Sequence, residues 1–350
     1  MSSSDARVSK LVDALSVAGG VEGADLRGLD LRAVDLAGGR FFECNFAGAD
    51  LAGLDLNSAV FVACDLRGIR GQSATLDGVR MAQCDLSDSQ WQASTGDRMM
   101  LTNCKADRVQ MNGSTLTYCM FMRTQWPAAC LEGLRAESCA WTQCAWPDAS
   151  WSGSTLNKSV LHQADLRAAR LAGIDWRRCV LHEVMLQEAS FDGCRLDESQ
   201  FQGAHIEDCD FSQASLLHVS FSRARLRAVS FAGAAMPHSQ WSEGHFEDVS
   251  WRGAEMTFAS FPGARFHRCD LSDANLHAAN FSAIEAIDTR FKRARLDHTD
   301  FSDCRCVDST FHEVSTAYAK AARTEGLPLA AFPDRALREF NDPNAPPKTS

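Results

Sequence analysis

The chain has 350 residues, 45% of them hydrophobic and 23% charged, with a formal net charge of −10. That mixture supplies a buried core and excludes an intrinsically disordered chain. No run approaches the roughly 20 apolar residues a membrane span needs, and Asp5 and Asp13 sit where a signal peptide would be basic or apolar, so the expectation is a protein with no membrane segment that stays in the cytoplasm or leaves by a route that reads no cleavable signal.

The first expected element is a helix from Ser4 to Val17, with Val8, Leu11, Val12 and Leu15 on one face and Gly19-Gly20 as its stop. Residues 1–20 would then cap whatever follows. Beyond them the period changes. Stepping by five from Leu26 gives Leu31, Leu36, Phe41, Phe46, Leu51, Leu56, Phe61 and Leu66, and the same frame still runs at Phe281, Phe291, Leu296, Phe301 and Phe311. Over about 58 steps the frame never slips, and a period of five matches neither helix nor strand, so it belongs to a solenoid of stacked repeats. Exceptions are few (Gly71, Gly96, Ala106, Ala136, Ala286 and Cys306), and all eight tryptophans obey the frame. Two residues before each centre stands a small or β-branched side chain, such as Ala24, Cys64, Val79 or Ala274. Between the two comes very often Asp or Asn, as in Ala24-Asp25-Leu26-Arg27-Gly28 and Ala279-Asn280-Phe281.

This repeated Ala-Asp-Leu-x-Gly run resembles the pentapeptide-repeat proteins. The resemblance implies an all-β solenoid, a right-handed quadrilateral β-helix over residues 21–314 with short α-helical segments at both ends. Four pentapeptides make one coil, with the centre residue and the one two before it pointing inward. About 14 coils at the inter-strand spacing would span about 70 Å. The recurrence of Cys64-Asp65-Leu66 as Cys84-Asp85-Leu86 is then one coil. Twelve of the fourteen cysteines occupy the small inward position, with Cys44, Cys64, Cys84 and Cys104 in one column, while Cys130 is in outward phase. Side chains stacked at about 4.8 Å suit neither a zinc site nor a disulfide, so these are expected to be buried thiols in a reducing compartment.

Within the repeat, Trp91 to Trp151 is the less regular stretch. Its tryptophans either fill the volume that Gly96, Ala106 and Ala136 leave, or the coil bends or widens there. After the repeat, Ser315 is expected to N-cap a helix through Ala317, Tyr318, Ala321 and Ala322, making residues 315–340 a helical cap. Residues 341–350, Pro-rich and polar, are expected to be a flexible tail.

No catalytic motif is present: there is no GxxxxGK[ST], HExxH or GxSxG, so no enzyme, cofactor or metal is expected. His162 with His182 and His218 with His238 are one coil apart, but each pair lacks a third ligand. Function therefore falls to the outward side chains. The face centred on Leu26, Phe46 and onward to Phe266 carries Asp65, Asp85, Asp88, Asp107, Asp165, Glu188, Glu207, Asp208, Glu247 and Asp248, interleaved with arginines such as Arg67, Arg108, Arg167 and Arg268. The face centred on Phe41, Phe61, Met81, Leu101, Phe121 and Trp141 instead presents Phe42, Val60, Val62, Met100, Met120, Met122, Val160 and Val180. Such an apolar run is a candidate partner surface, unless the terminal segments cover it.

The resemblance offers two classes of function. Some family members mimic DNA and occupy a type II topoisomerase, gyrase; others are binding scaffolds, including accessories of type VI secretion systems. A mimic needs acid with little competing base, so the expectation is a non-enzymatic scaffold for a protein partner or a second copy of itself, with no direct nucleic-acid or membrane binding.

Overall fold

A chain that must bury every fifth residue, with polar ones between, has to turn a corner at each repeat. The computed structural model describes residues 3–18, 20–328 and 331–332. The chain divides into two compact units, Met1–Val180 and Leu181–Ser350, each built as a right-handed quadrilateral β-helix. Every side of a coil is one pentapeptide, and its strand or bridge residues pair in parallel with those a full coil later, as Arg40, Phe41 and Phe42 do with Val60, Phe61 and Val62.

The corner is the second residue after each centre. Glu43 (φ 51°), Tyr118 (φ 52°), Arg123 (φ 48°) and Phe258 (φ 59°) all adopt left-handed backbone there. Such a conformation costs on the order of 1 kcal/mol for a residue with a Cβ. Burial of the centre residue, worth about 2 kcal/mol or more for a Leu or Phe, offsets it at each side. Asp or Asn before the centre has a matching physical cause. The backbone N–H just after the centre lies at the bend, and it donates to that side chain: Ala47 N to Asn45 Oδ1 at 2.9 Å, Ser87 N to Asp85 Oδ1 at 3.0 Å, Ser282 N to Asn280 Oδ1 at 2.9 Å.

In the first unit, helix α1 (Ser3–Ala18) precedes the coils. Leu11 is its buried anchor, and Arg7 reaches Asp25 at 3.7 Å, which ties the helix to the first coil. Val12, expected on the same buried face, is 47% exposed, because the helix leans on the coil along a narrow line through Leu11. An eight-stranded parallel sheet then runs through Gly20–Glu22, Arg40–Phe42, Val60–Val62, Arg80–Ala82, Met100–Thr102, Met120–Met122, Ala140–Thr142 and Val160–His162. A second, five-stranded sheet from Thr95–Asp97 to Asp175–Arg177 forms another side of the same coils. Inside, a tryptophan compensates for a missing side chain at Gly71, whereas the neighbours of Gly96 are Leu116, Leu76 and Met99. A Cβ on Gly71 would lie 2.4 Å from the ring of Trp91, one coil on, so the indole occupies the space the glycine vacates.

The second unit has a seven-stranded parallel sheet from Met185–Gln187 to Arg305–Val307. Its core is a stack of rings: Phe191 on Phe211 at 4.3 Å, Phe211 on Phe231 at 5.0 Å, and Phe201 on Phe221 at 4.8 Å. At the far end the expected helix from Ser315 is absent over the described residues. The repeat continues instead, with Ser315, Lys320 and Glu325 bridging Arg295, Asp300 and Arg305. The physical reason is that Thr316, Ala319 and Ala321 keep the inward phase and are buried on the preceding coil. Phe332 then packs edge-on against Phe301 and Phe311 at 5.6 and 6.0 Å. The rest of the expected cap, and the tail at 341–350, lie outside the described residues. Among the described residues no helix is long and apolar enough to cross a membrane.

Candidate functional site

In the eight-stranded sheet each strand is three residues long, its middle one inward, so its first and third side chains stand outward in two columns up the sheet. The first column reads Arg40, Val60, Arg80, Met100, Met120, Ala140, Val160, and Val180 adds a further rung through its bridge to Val160. The third-position column reads Phe42, Val62, Ala82, Thr102, Met122, Thr142, His162. All eight candidate contact residues thus share one side of the first unit. They form two clusters rather than one strip. Phe42, Val60 and Val62 lie together, as do Met100, Met120 and Met122 with Val160 and Val180 beyond Ala140, and Arg80 interrupts the first column between them.

Phe42 and Met120 are 40% and 43% exposed, and the others are half-buried by their neighbours on adjacent strands. Across the strands from Arg40–Phe42 to Val160–His162 neither column holds a carboxylate. Among the described residues no carboxylate pairs with Arg40, Arg80 or Arg123. Arg27, Arg67 and Arg167, by contrast, each fork on the aspartate two residues before them at 2.7–2.9 Å.

Sequence reasoning missed the rim of this face. The corner preceding the sheet brings Arg98 and Tyr118 beside Met100 and Met120, and with Arg80 they line an open depression floored by Met99. Tyr118 is 56% exposed, and the Arg98 guanidinium lies 5.8 Å from its ring centre while bonding Asp97 at 2.5 Å. The available signal was the corner phase, two residues after a centre, where a large aromatic has no burial to justify it.

In each unit several of the carboxylates singled out in the sequence are neutralised by an arginine of the chain. Asp65 is bound by Arg67, Asp88 by Arg108, Asp165 by Arg167 and Asp248 by Arg268, each at 2.7 Å, and Glu207 is paired with Arg227. The guanidinium hydrogen bonds hold the carboxyls of Asp65, Asp88, Asp165 and Asp248 below the usual carboxylate range. Asp85, without an arginine, accepts from Ser87 Oγ at 2.6 Å.

The cysteines are free thiols, and all but Cys130 are buried. Cys64 Sγ and Cys84 Sγ donate to the carbonyls of Phe41 and Phe61 at 3.4 Å. Burial pushes the Cys144 thiol up to about 11 and Cys269 up to about 12, so they stay protonated. His218 and His238 do stack, at 4.9 Å, but the column continues into Phe258 at 5.0 Å. Among the described residues no three His, Cys, Asp or Glu converge on a point that could hold a metal ion.

Two family models match the chain. One, described as a pentapeptide repeat region, matches residues 184–261; the other, pentapeptide repeats (8 copies), matches 24–61, 44–88, 159–197, 252–284 and 274–309. No curated protein matches. Among solved structures, QnrB1, a plasmid-mediated fluoroquinolone resistance protein, is similar at 18% identity over 65% of this chain and 91% of that one, with a TM-score of 0.33. HetL, from the cyanobacterium Nostoc and involved in heterocyst differentiation regulation, is similar at 20% identity over 64% of this chain and 89% of that one, with a TM-score of 0.22. Rfr23, from the cyanobacterium Cyanothece, is similar at 15% identity over 43% of this chain and 90% of that one, with a TM-score of 0.27.

Proposed function

The chain belongs to the pentapeptide-repeat family, and from that premise we propose that it is a non-enzymatic scaffold docking a protein partner on the outward side of its eight-stranded sheet. One observation carries the reading. Large apolar side chains, Phe42 and Met120 at 40% and 43% exposure, stand outward in two clusters on a side whose inward centres already fill the core. Nothing in the fold requires them there, because the inward residues and the ladder hold the coil. Clustered apolar surface of that kind is a mark of interaction sites.

A DNA mimic would need carboxylates free to replace phosphates, and here Asp65, Asp88, Asp165 and Asp248 carry arginines. A cytoplasmic setting belongs to the proposal, supported by cysteines that are all free. An accessory role in type VI secretion rests on no feature of the chain, and the identity of the captured partner decides it.

The test is capture from the native host's lysate with the wild type and with Met120→Asp/Val160→Asp, both outward changes that remove no core volume. The partner is expected to be lost with that variant and kept when Asp85, Asp88, Glu207 and Asp208 are neutralised. The reverse pattern, with loss of topoisomerase inhibition on neutralisation, would establish the mimic instead.

A further inference from the structure

The sign of the charge around the apolar side does not match that of the molecule. The chain carries −10 overall, yet the charged side chains in the two outward columns from Arg40–Phe42 to Val160–His162 are Arg40 and Arg80, apart from His162 at the last strand. The rims repeat the bias. Arg98 and Lys158 stand on the leading corner and Arg123 on the trailing one, against Glu43 as the single carboxylate of either corner over these strands. Lys158 and Arg98 have partners in Glu137 and Asp97 on the neighbouring sheet. Among the described residues Arg40, Arg80 and Arg123 pair with no carboxylate.

Most guanidinium groups of the first unit reach a carboxylate, Arg27, Arg32, Arg67, Arg70 and Arg108 among them; among the described residues Arg135 and Arg170 join Arg40, Arg80 and Arg123 in pairing with none. Elsewhere in the first unit the arginines that follow a centre residue fold back on aspartates, because Asp-Leu-Arg places donor and acceptor on one side of a coil, as at Asp65 and Arg67. On the apolar side the aspartate's place, just before the centre, is taken by Val60, Met100, Met120, Ala140 and Val160 and by Arg40 and Arg80 themselves. Arg80 is left flanking Met100 and Met120, within an open depression completed by Arg98 and Tyr118. The Arg98 guanidinium against the Tyr118 ring holds the wall in place. A bulky apolar side chain can enter over the methionines while a neighbouring carboxylate meets Arg80, and Tyr and Arg are the residue types on which binding energy concentrates.

We infer that the eight-stranded side binds an acidic, apolar segment of a partner protein, its apolar side chains on Met100, Met120 and Val60 and its carboxylates on Arg40, Arg80 and Arg123. This rests on the docking reading above and adds the partner's chemistry to it. Nucleic acid fits less well. Its affinity comes from many phosphate contacts, whereas the floor here is valine and methionine and the unpaired cations are few.

A random-peptide display library panned on the intact protein, with counter-selection on Met120→Asp/Val160→Asp, tests it. The enriched peptides are expected to carry Asp and Glu in excess over Lys and Arg, beside Leu, Phe or Trp. A synthetic copy of one should bind Arg40→Glu/Arg80→Glu about tenfold or more weakly, and should bind Arg225→Glu/Arg265→Glu, in the second unit, as it binds the wild type. Peptides that depend on Met120 but show no acid excess, or that ignore Arg40→Glu/Arg80→Glu, would overturn this inference and leave the docking surface standing. If no peptide distinguishes the Met120→Asp/Val160→Asp variant from the wild type, the docking surface itself is refuted. Labelled duplex DNA whose binding is lost with Arg80→Glu, or a dimer in solution that Met120→Asp dissociates, would also overturn the inference by naming a different occupant.

Discussion

The long sheets of the two units are built alike and dressed differently. In the first unit the outward columns are mostly Val, Met, Ala, Phe and Thr; in the second they run Met185, His205, Arg225, His245, Arg265, Glu285, Arg305 and Gln187, Glu207, Arg227, Glu247, His267, Ile287, Val307. The second sheet pairs its charges along the column, Arg305 with Glu285 at 2.7 Å and Arg227 with Glu207. Exposed pairs of this kind contribute about 0–1 kcal/mol each. Neither dressing is therefore what holds its sheet together. Inward residues do that in both: Phe41, Phe61, Leu101 and Phe121 in one, Leu186, Ile206, Leu226 and Phe246 in the other, all buried. The contrast teaches that this backbone leaves its outward columns free, so an apolar, carboxylate-free column needs an explanation beyond folding.

Removing an inward ring should have the largest effect on that comparison. Phe211 lies between Phe191 and Phe231 at 4.3 and 5.0 Å, so Phe211→Ala is expected to cost about 3–5 kcal/mol, read from the urea midpoint. The outward Arg225→Ala in the neighbouring coil should stay within about 0.5 kcal/mol. Equal costs would mean that the outward columns are structural after all. Overpacking comes next. Gly71→Leu drives a side chain into Trp91 and should destabilise the first unit by about 1–3 kcal/mol. Adding Trp91→Leu should recover part of that, and no recovery would refute the compensation between the two coils.

Thiol labelling sharpens the same inside–outside division with no change in sequence. Cys130, half-buried, should react in the native state, whereas Cys64, Cys84 and Cys269 wait for unfolding; fast native labelling of Cys64 would show that the core opens. The smallest effect is acid sensitivity, which belongs to the paired aspartates and not to the apolar side. Their folded pKa values are depressed, to about 2 for Asp30 and below the ordinary value for Asp65, Asp165 and Asp248. Their contribution is therefore complete above the unfolded value of about 3.9 and is lost as pH falls through the folded one. Melting temperature should be level from about pH 8 to 5 and decline below about pH 4. Asp65→Asn should shrink the decline slightly, and Met120→Asp should not.

Much of this was open to reading residue by residue. Phe41, Phe61 and Trp141 go inward because they stand in the five-residue frame, and a slip of one would expose them all. Met120 and Phe42 follow as outward by the same count. What resisted was the setting of each outward side chain. Ser315 to Ala322 has the composition of a capped helix, yet Thr316 and Ala321 are buried as one more turn of the repeat, because the coil beneath offers a ladder to complete. Tyr118 and Arg98 look like scattered surface residues until stacking sets one above the other.

Local covalent order was enough to decide which residues point in and which point out, since that depends only on the phase of a residue within its own pentapeptide. The frame alone did not say that four pentapeptides close one coil, which sides become flat strands, or which guanidinium meets a carboxylate. Those depend on the neighbour a full coil away. Only the stacked backbone brings Met100 to Met120 and Arg98 to Tyr118, and leaves Arg80 beside methionines instead of an aspartate.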